Sequence, residues 1–201
     1  MRVIEIFQSI QGEGRYLGVP AIFIRTAGCN LACSFCDTKH SWDGTETGFA
    51  MSAIDIVNLI RKNNYHAPLV VITGGEPCLQ KDIVDVIAAL QMELGVTVAI
   101  ETNGTLPTPP NANWVTCSPK PEVNYKVHQD CMVDEYKFVI TEDFNASVIS
   151  EEIRAQYGIN GIWLQPDGYN LQAMWKKAYN IAIADPRMRV GVQLHKLMEV
   201  Q

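Results

Sequence analysis

The chain has 201 residues, 47% of them apolar, enough to bury roughly 70% of its unfolded surface around one core, so one domain spanning residues 1–201 is expected. A formal charge of −6 and an isoelectric point near 5.2 leave no broad basic face, which argues against electrostatic binding of nucleic acid or anionic membrane. Mean hydropathy is close to zero and no apolar run approaches the roughly 20 residues of a membrane helix, so a cytoplasmic protein is expected.

The opening segment MRVIEIFQSIQGEGR alternates apolar and polar residues and then turns glycine-rich, unlike the continuous apolar core of a secretion signal. Short runs rich in Val and Ile then predict strands at 21–26, 69–73, 96–101, 114–118, 135–140, 162–165 and 189–195. Between the first two, Ser52 is placed to cap a helix whose apolar face is Ile56, Val57, Leu59 and Ile60. A second helix is predicted over 81–94, with Ile83, Val84, Ile87, Leu90 and Leu94 on one face. Gly104, Pro107, Pro109 and Pro110 exclude a regular helix from 102–113, and 119–134 lacks helical periodicity. Helices return at 147–157 and 171–184. Alternating strands and helices imply parallel strands with right-handed crossovers. Seven strands with only four good helices predict an α/β fold: a partial, open parallel (β/α) barrel with reduced helix content.

Polar motifs follow nearly every predicted strand. The cysteine-rich loop follows the first, Thr73-Gly74-Gly75-Glu76-Pro77 the second, and Glu101-Thr102-Asn103-Gly104 the third. Ser118-Pro119-Lys120, Gln165-Pro166 and Gln193-Leu194-His195-Lys196 come after later ones. Strand carboxyl ends are where parallel α/β sheets place their sites, so one cavity could gather all six.

Three of the six cysteines are clustered as Cys29-Asn-Leu-Ala-Cys33-Ser-Phe-Cys36, whereas Cys78, Cys117 and Cys131 lie apart in apolar stretches and read as buried small hydrophobes. Three thiolates on a tight loop suit a cubane 4Fe-4S cluster with one open iron. The same spacing also suits zinc with a remote fourth ligand, which His40 could supply. The CxxxCxxC spacing resembles the radical S-adenosylmethionine superfamily, and Gly74-Gly75-Glu76-Pro77 resembles that superfamily's GGE motif, which meets the methionine amine of the cofactor. A carboxylate such as Glu76 can accept from an ammonium, and glycines allow close backbone approach.

The resemblance narrows through Gln11-Gly12-Glu13-Gly14, Phe23-Ile24-Arg25, Gly28-Cys29, Cys36-Asp37-Thr38-Lys39-His40, residues 72–78, residues 114–120 and 193–196. Together, in order and over nearly the whole chain, they resemble the 7-carboxy-7-deazaguanine synthases. The resemblance implies a radical lyase that converts 6-carboxy-5,6,7,8-tetrahydropterin to 7-carboxy-7-deazaguanine with loss of ammonia, toward queuosine and related deazapurines. It implies reductive cleavage of S-adenosylmethionine, a 5'-deoxyadenosyl radical that takes a substrate hydrogen, and return of that hydrogen so that the cofactor is regenerated.

The resemblance also assigns residues. Cys29, Cys33 and Cys36 would hold the cluster and Thr38 a magnesium ion. Phe35, Cys36, Asp37, Gly75, Glu76, Glu101, Ser118, Pro119, Lys120 and Gln165 would face S-adenosylmethionine. Ile10, Gln11, Gly12, Glu13, Arg25, Thr73, His195 and the terminal Gln201 would face the pterin, with Arg25 matching its carboxylate. An external electron donor such as flavodoxin or ferredoxin and a homodimeric state are implied as well. Asn103 departs from the serine common in the family, and Pro121 from its usual loop. Two rivals remain: another radical S-adenosylmethionine enzyme, which should lack the Gln-Gly-Glu-Gly and Leu-His-Lys segments, and a non-enzymatic metal-binding protein.

Overall fold

A computed structural model describes residues 1–42, 48–168 and 171–201. Among them, nine strands form one open sheet: β1 (Arg2–Ile10), β2 (Pro20–Thr26), β3 (Phe49–Ala50), β4 (Leu69–Gly74), β5 (Thr97–Thr102), β6 (Trp114–Cys117), β7 (Glu135–Ile140), β8 (Ile162–Pro166) and β9 (Arg189–Val190). Their order is β3-β1-β2-β4-β5-β6-β7-β8-β9. The pairings of β1 with β2 and β3 are antiparallel, and all others are parallel. The expected open, mostly parallel α/β architecture is therefore present, with two additional strands at one edge. The alternation in the opening segment is that of β1, a strand the sequence reading left unassigned.

The helices are α1 (Ala53–Lys62), α2 (Ile83–Leu94), α3 (Glu151–Gly161), α4 (Leu171–Ala184) and a single turn, α5 (Leu194–Leu197). Ser52 caps α1 in a reciprocal box: its Oγ accepts from Asp55 N at 3.3 Å, and Asp55 Oδ2 accepts from Ser52 N at 3.0 Å. On α2, Val84 is exposed rather than part of the buried face. The strand expected at 189–195 ends at Val190. Gly191 N still donates to Leu164 O at 2.8 Å, but beyond it the chain turns away, and Leu194 N donates to Gly12 O at 3.0 Å. His195 therefore stands on α5, not at a strand end.

The sheet separates core from site by its two-residue period. Ile22, Ile24, Val70, Ile72, Val98 and Ile100 pack against Ile56, Val57 and Ile60 of α1 and Ile83, Val86, Ile87 and Leu90 of α2. Farther along, Phe138, Ile140 and Leu164 pack against Met174 and Ala178 of α4. The intervening residues Phe23, Arg25, Thr73, Glu101, Lys137 and Gln165 face the other way and line one cavity. Register sets two of them beside Glu5, with Glu5 paired to Arg25 and Arg25 to Thr73 across β1, β2 and β4.

Candidate functional site

The cavity has a volume of about 830 Å³ and gathers residues from all six motif segments. Of the residues singled out in the sequence, Ile10, Gln11, Glu13, Arg25, Cys29, Cys33, Phe35, Cys36, Asp37, Thr38, Thr73 and Gly75 line it. So do Glu101, Ser118, Lys120, Gln165, His195 and Gln201. Gly12, Glu76 and Pro119 do not.

The cysteine loop is built from its two ends. Gly28 N donates to Ser41 O at 2.7 Å and Cys29 N to Trp42 O at 3.2 Å, closing the base, while Cys36 N donates to Cys33 O at 3.1 Å within the loop. Burial raises the Cys29 thiol, and burial together with a hydrogen bond to Glu122 pushes Cys33 up to about 12. Burial thus disfavours the thiolate form, and a metal bound to these sulfurs would favour it. Among the described residues no three His, Cys, Asp or Glu side chains close around a single ion. Cys29, Cys33 and Cys36 offer three sulfur donors on one short loop at the cavity wall, a soft set that fits an iron-sulfur cluster better than a hard cation.

The glycine pair has a packing reason. A Cβ on Gly75 would lie 2.1 Å from Gly28 O, and one on Gly74, whose φ is +116°, would lie 2.4 Å from Thr26 N. The end of β4 is thus pressed onto the root of the cysteine loop, with Gly75 N donating to Thr26 O at 2.9 Å and Glu76 N to Gly28 O at 2.8 Å. Glu76 is fully buried. Its carboxylate accepts from Thr102 Oγ1 at 2.7 Å, Asn103 N at 2.7 Å and Cys78 N at 3.0 Å, so it braces the ends of β4 and β5 from behind the cavity wall. Burial raises its proton affinity despite those donors. Asn103 donates to Asn30 Oδ1 at 3.0 Å, which ties the loop after β5 to the cysteine loop.

Beside the end of the cysteine loop, Arg25 Nε donates to Glu5 Oε1 at 2.7 Å and Nη1 to Thr38 Oγ1 at 3.3 Å. Thr38 Oγ1 in turn donates to Asp37 Oδ1 at 3.0 Å. Burial works against ionisation of Asp37, but the Thr38 hydroxyl and the charges of Lys196, Arg25 and Lys137 outweigh it and hold the carboxyl low. The tail folds over this wall, where Gln201 Nε2 donates to Glu5 Oε2 at 2.9 Å and Ser9 Oγ donates to Gln201 O.

The loop after β1 is anchored from below by Glu135, whose carboxylate accepts from Arg15 N at 3.1 and 3.2 Å, Thr116 Oγ1 at 2.8 Å and Trp163 Nε1 at 2.7 Å. Gly14 is required there, since its φ is +65° and a Cβ would sit 2.4 Å from Glu135 Oε1. Neither Glu135 nor Lys137 was among the sequence candidates. Lys137 could have been found as a lone cation inside the apolar strand EYKFVI, on the face opposite Tyr136 and Phe138.

Residues 23–115 match the Radical SAM superfamily. The chain is 40% identical, over 100% of its own length and 98% of the other's, to the 7-carboxy-7-deazaguanine synthase of Bacteroides thetaiotaomicron. The chain belongs to the 7-carboxy-7-deazaguanine synthase family. A 7-carboxy-7-deazaguanine synthase from Aquifex aeolicus is 34% identical over 98% of this chain and 93% of its own. The crystal structure of QueE from Escherichia coli superposes with a TM-score of 0.77 at 32% identity, covering 96% of this chain and 94% of that one. SuiB of Streptococcus suis, at 17% identity and a TM-score of 0.54, covers 84% of this chain and 47% of its own, and shares the fold. Within this family the open sheet and its motif-lined cavity belong to a small-molecule enzyme of the radical S-adenosylmethionine type.

Proposed function

We propose that this chain is a 7-carboxy-7-deazaguanine synthase, contracting the ring of 6-carboxy-5,6,7,8-tetrahydropterin with loss of ammonia in queuosine or deazapurine biosynthesis. The observation that carries the reading is the end-to-end likeness to synthases of that name, joined to a cavity that a loop of three cysteines shares with Gln11, Glu13, Arg25 and His195.

Cys29, Cys33 and Cys36 would hold a 4Fe-4S cluster, and Gly75, Glu101, Ser118, Lys120 and Gln165 would contact S-adenosylmethionine with the backbone of Phe35, Cys36 and Asp37. A cluster held by these residues would, when reduced, supply the one electron that cleavage of S-adenosylmethionine requires. Everything else asked of the chain is binding and exclusion. Arg25 presents a planar two-pronged cation to the substrate carboxylate. Gln11 and Glu13 read the polar edge of the pterin, and Thr73 and His195 meet it from β4 and α5. Thr38, with a hydroxyl oxygen already beside Asp37, would hold magnesium, a hard cation suited to oxygen donors. Leu197, Val200 and Gln201 line the cavity from the tail. Gly12, through its backbone, would join Gln11 and Glu13 at the substrate, and Glu76 and Pro119 would join the cofactor-facing set from behind the cavity wall.

The reaction needs an external reductant, for which flavodoxin or ferredoxin is the proposed class. A cytoplasmic homodimer is the proposed working state. No helix among the described residues is long and apolar enough to cross a membrane. Leu171, Trp175, Tyr179 and Ile183, four residues apart on α4, are all exposed, which favours a second copy of the chain on that face.

The test is anaerobic reconstitution, reduction, and incubation with S-adenosylmethionine, magnesium and carboxytetrahydropterin. About four irons per chain and a mass corresponding to 7-carboxy-7-deazaguanine are expected. Cleavage of S-adenosylmethionine with the pterin returned unchanged would assign the chain another substrate.

A further inference from the structure

Lys137 stands in the middle of β7, between Tyr136 and Phe138 of the core, and its side chain enters the cavity from the opposite face. Its Nζ donates to Glu13 Oε2 at 2.6 Å and to Glu101 Oε2 at 2.7 Å. All three side chains are largely buried, at 13%, 11% and 16% exposure. The remaining carboxylate oxygens are taken up too: Gln193 Nε2 donates to Glu13 Oε1 at 2.7 Å, and Gln11 Nε2 to Glu101 Oε1 at 3.3 Å. Gln11 Oε1 also accepts from Glu13 N at 3.3 Å, which closes a ring through Glu13, Lys137, Glu101 and Gln11. Four distant parts of the chain, at 11–13, 101, 137 and 193, meet in this network.

Two buried carboxylates at one point do not both stay ionised unless a cation lies between them. Burial opposes ionisation of Glu13, yet Lys137 holds that carboxyl below its ordinary range. Burial raises Glu101 in spite of the same ammonium. Other charged groups facing the network are Lys120 after β6, Asp37 in the cysteine loop, His195 on α5 and Glu135 at the start of β7. Lys120 donates to Ser118 Oγ at 2.6 Å, whereas both carboxylates are bridged by Lys137.

We propose that Lys137 is a positioning residue that locks the pterin-facing side of the cavity to the cofactor-facing side by holding Glu13 and Glu101 on a single ammonium. Its consequence for catalysis rests on the proposed roles of Glu13 and Glu101, whereas the ring of contacts does not. Substrate and cofactor would then be set at a fixed separation before either reacts, and loosening one carboxylate would loosen the other.

The parent, Lys137→Met, Lys137→Arg and the double variant Lys137→Met/Glu13→Gln decide it, each reconstituted and assayed for iron. Lys137→Met should keep the iron but bind both S-adenosylmethionine and carboxytetrahydropterin about tenfold or more weakly by calorimetry, as expected for loss of a charged hydrogen-bond partner. Lys137→Arg should recover part of both affinities. At neutral pH, Lys137→Met should show an infrared band of a protonated carboxyl stronger than any in the parent, because the two buried carboxylates are left with no cation between them. The double variant should regain affinity for S-adenosylmethionine but not for the pterin. Parental affinities and no stronger band in Lys137→Met would overturn the proposal. If that variant does not fold, a double variant that folds but binds S-adenosylmethionine no better than a Glu101→Gln control would overturn it. A parent that binds S-adenosylmethionine but converts no pterin would refute the proposed function, while the infrared band would still decide the part played by Lys137.

Discussion

Gly12 backs directly onto the ring of His195: a Cβ on Gly12 would lie 2.0 Å from His195 Nδ1, and Leu194 N holds the turn there by donating to Gly12 O at 3.0 Å. A methyl group at this position must displace the imidazole. Gly12→Ala is therefore expected to raise the KM for carboxytetrahydropterin about tenfold, the size of one lost hydrogen bond to a charged or polar ligand group, with iron content unchanged. Steady-state kinetics and an iron assay on the same preparation check it, and an unchanged KM would remove His195 from the substrate wall.

The same imidazole carries a pH signature. Burial holds His195 below its ordinary value of 6.5, although Glu13 pulls the other way. The sign follows from linkage: a histidine whose folded value is lowered contributes stability that is present above 6.5 and is lost as pH falls through 6.5 toward the folded value. Substrate affinity is expected to decline on that acid limb, and the limb should flatten in His195→Gln. Binding isotherms of the two proteins between pH 5 and 8 compare them directly.

Cys29, Cys33 and Cys36 share one loop at the cavity, whereas Cys117 is buried at 0% exposure beside Gly104 and packs with Phe138. Single alanine variants of the first three are expected to lose most of the iron and all product. Cys78→Ala and Cys131→Ala should keep both, and Cys117→Ala should lose thermal stability, by about 1 kcal/mol for a small buried side chain, before it loses iron. Full iron in Cys36→Ala would break the assignment.

Arg25 uses its planar fork twice, on Glu5 through Nε and on Thr38 through Nη1, and it lies over the ring of Phe7 at 5.8 Å. A lysine has no second prong. Arg25→Lys is expected to weaken pterin binding by about tenfold or more while leaving S-adenosylmethionine binding within about twofold. Equal loss of both affinities would indicate a disturbed fold.

Thr38 is buried, with its hydroxyl between Asp37 and Arg25. If that oxygen holds magnesium, Thr38→Ala should retain iron and uncoupled cleavage of S-adenosylmethionine yet lose magnesium-stimulated product formation, and Thr38→Ser should keep much of it. Rates with and without magnesium for the three proteins decide the point, since an alanine variant stimulated like the parent would leave Thr38 a turn residue.

Much of this architecture can be read without coordinates. Apolar runs such as AIFIRT and VVITG mark the buried strands, and the motif after each strand tells which end of the sheet is chemical. The alternation RVIEIFQSI also encoded β1, but β1 pairs antiparallel with β2, and a rule built on strand-helix alternation has no place for it. Local sequence likewise did not show that 194–197 would turn helical, because the chain there is steered by Gly12 and Gln193 across the cavity rather than by its own periodicity.

What the sequence determined by itself was the chemistry: the cysteine spacing, the glycine pair before Glu76, and the polar ends of the strands all follow from residue type and short-range order. What only the tertiary structure decided was the direction and company of individual side chains. It turned Glu76 inward onto Thr102 and Asn103, gave Asn103 to the cysteine loop through Asn30, and set Lys137 between two carboxylates 124 and 36 residues away. The physical reason is that a strand's period fixes which face a residue occupies, whereas the partner of a buried charge is chosen by crossovers and register between segments far apart in the chain.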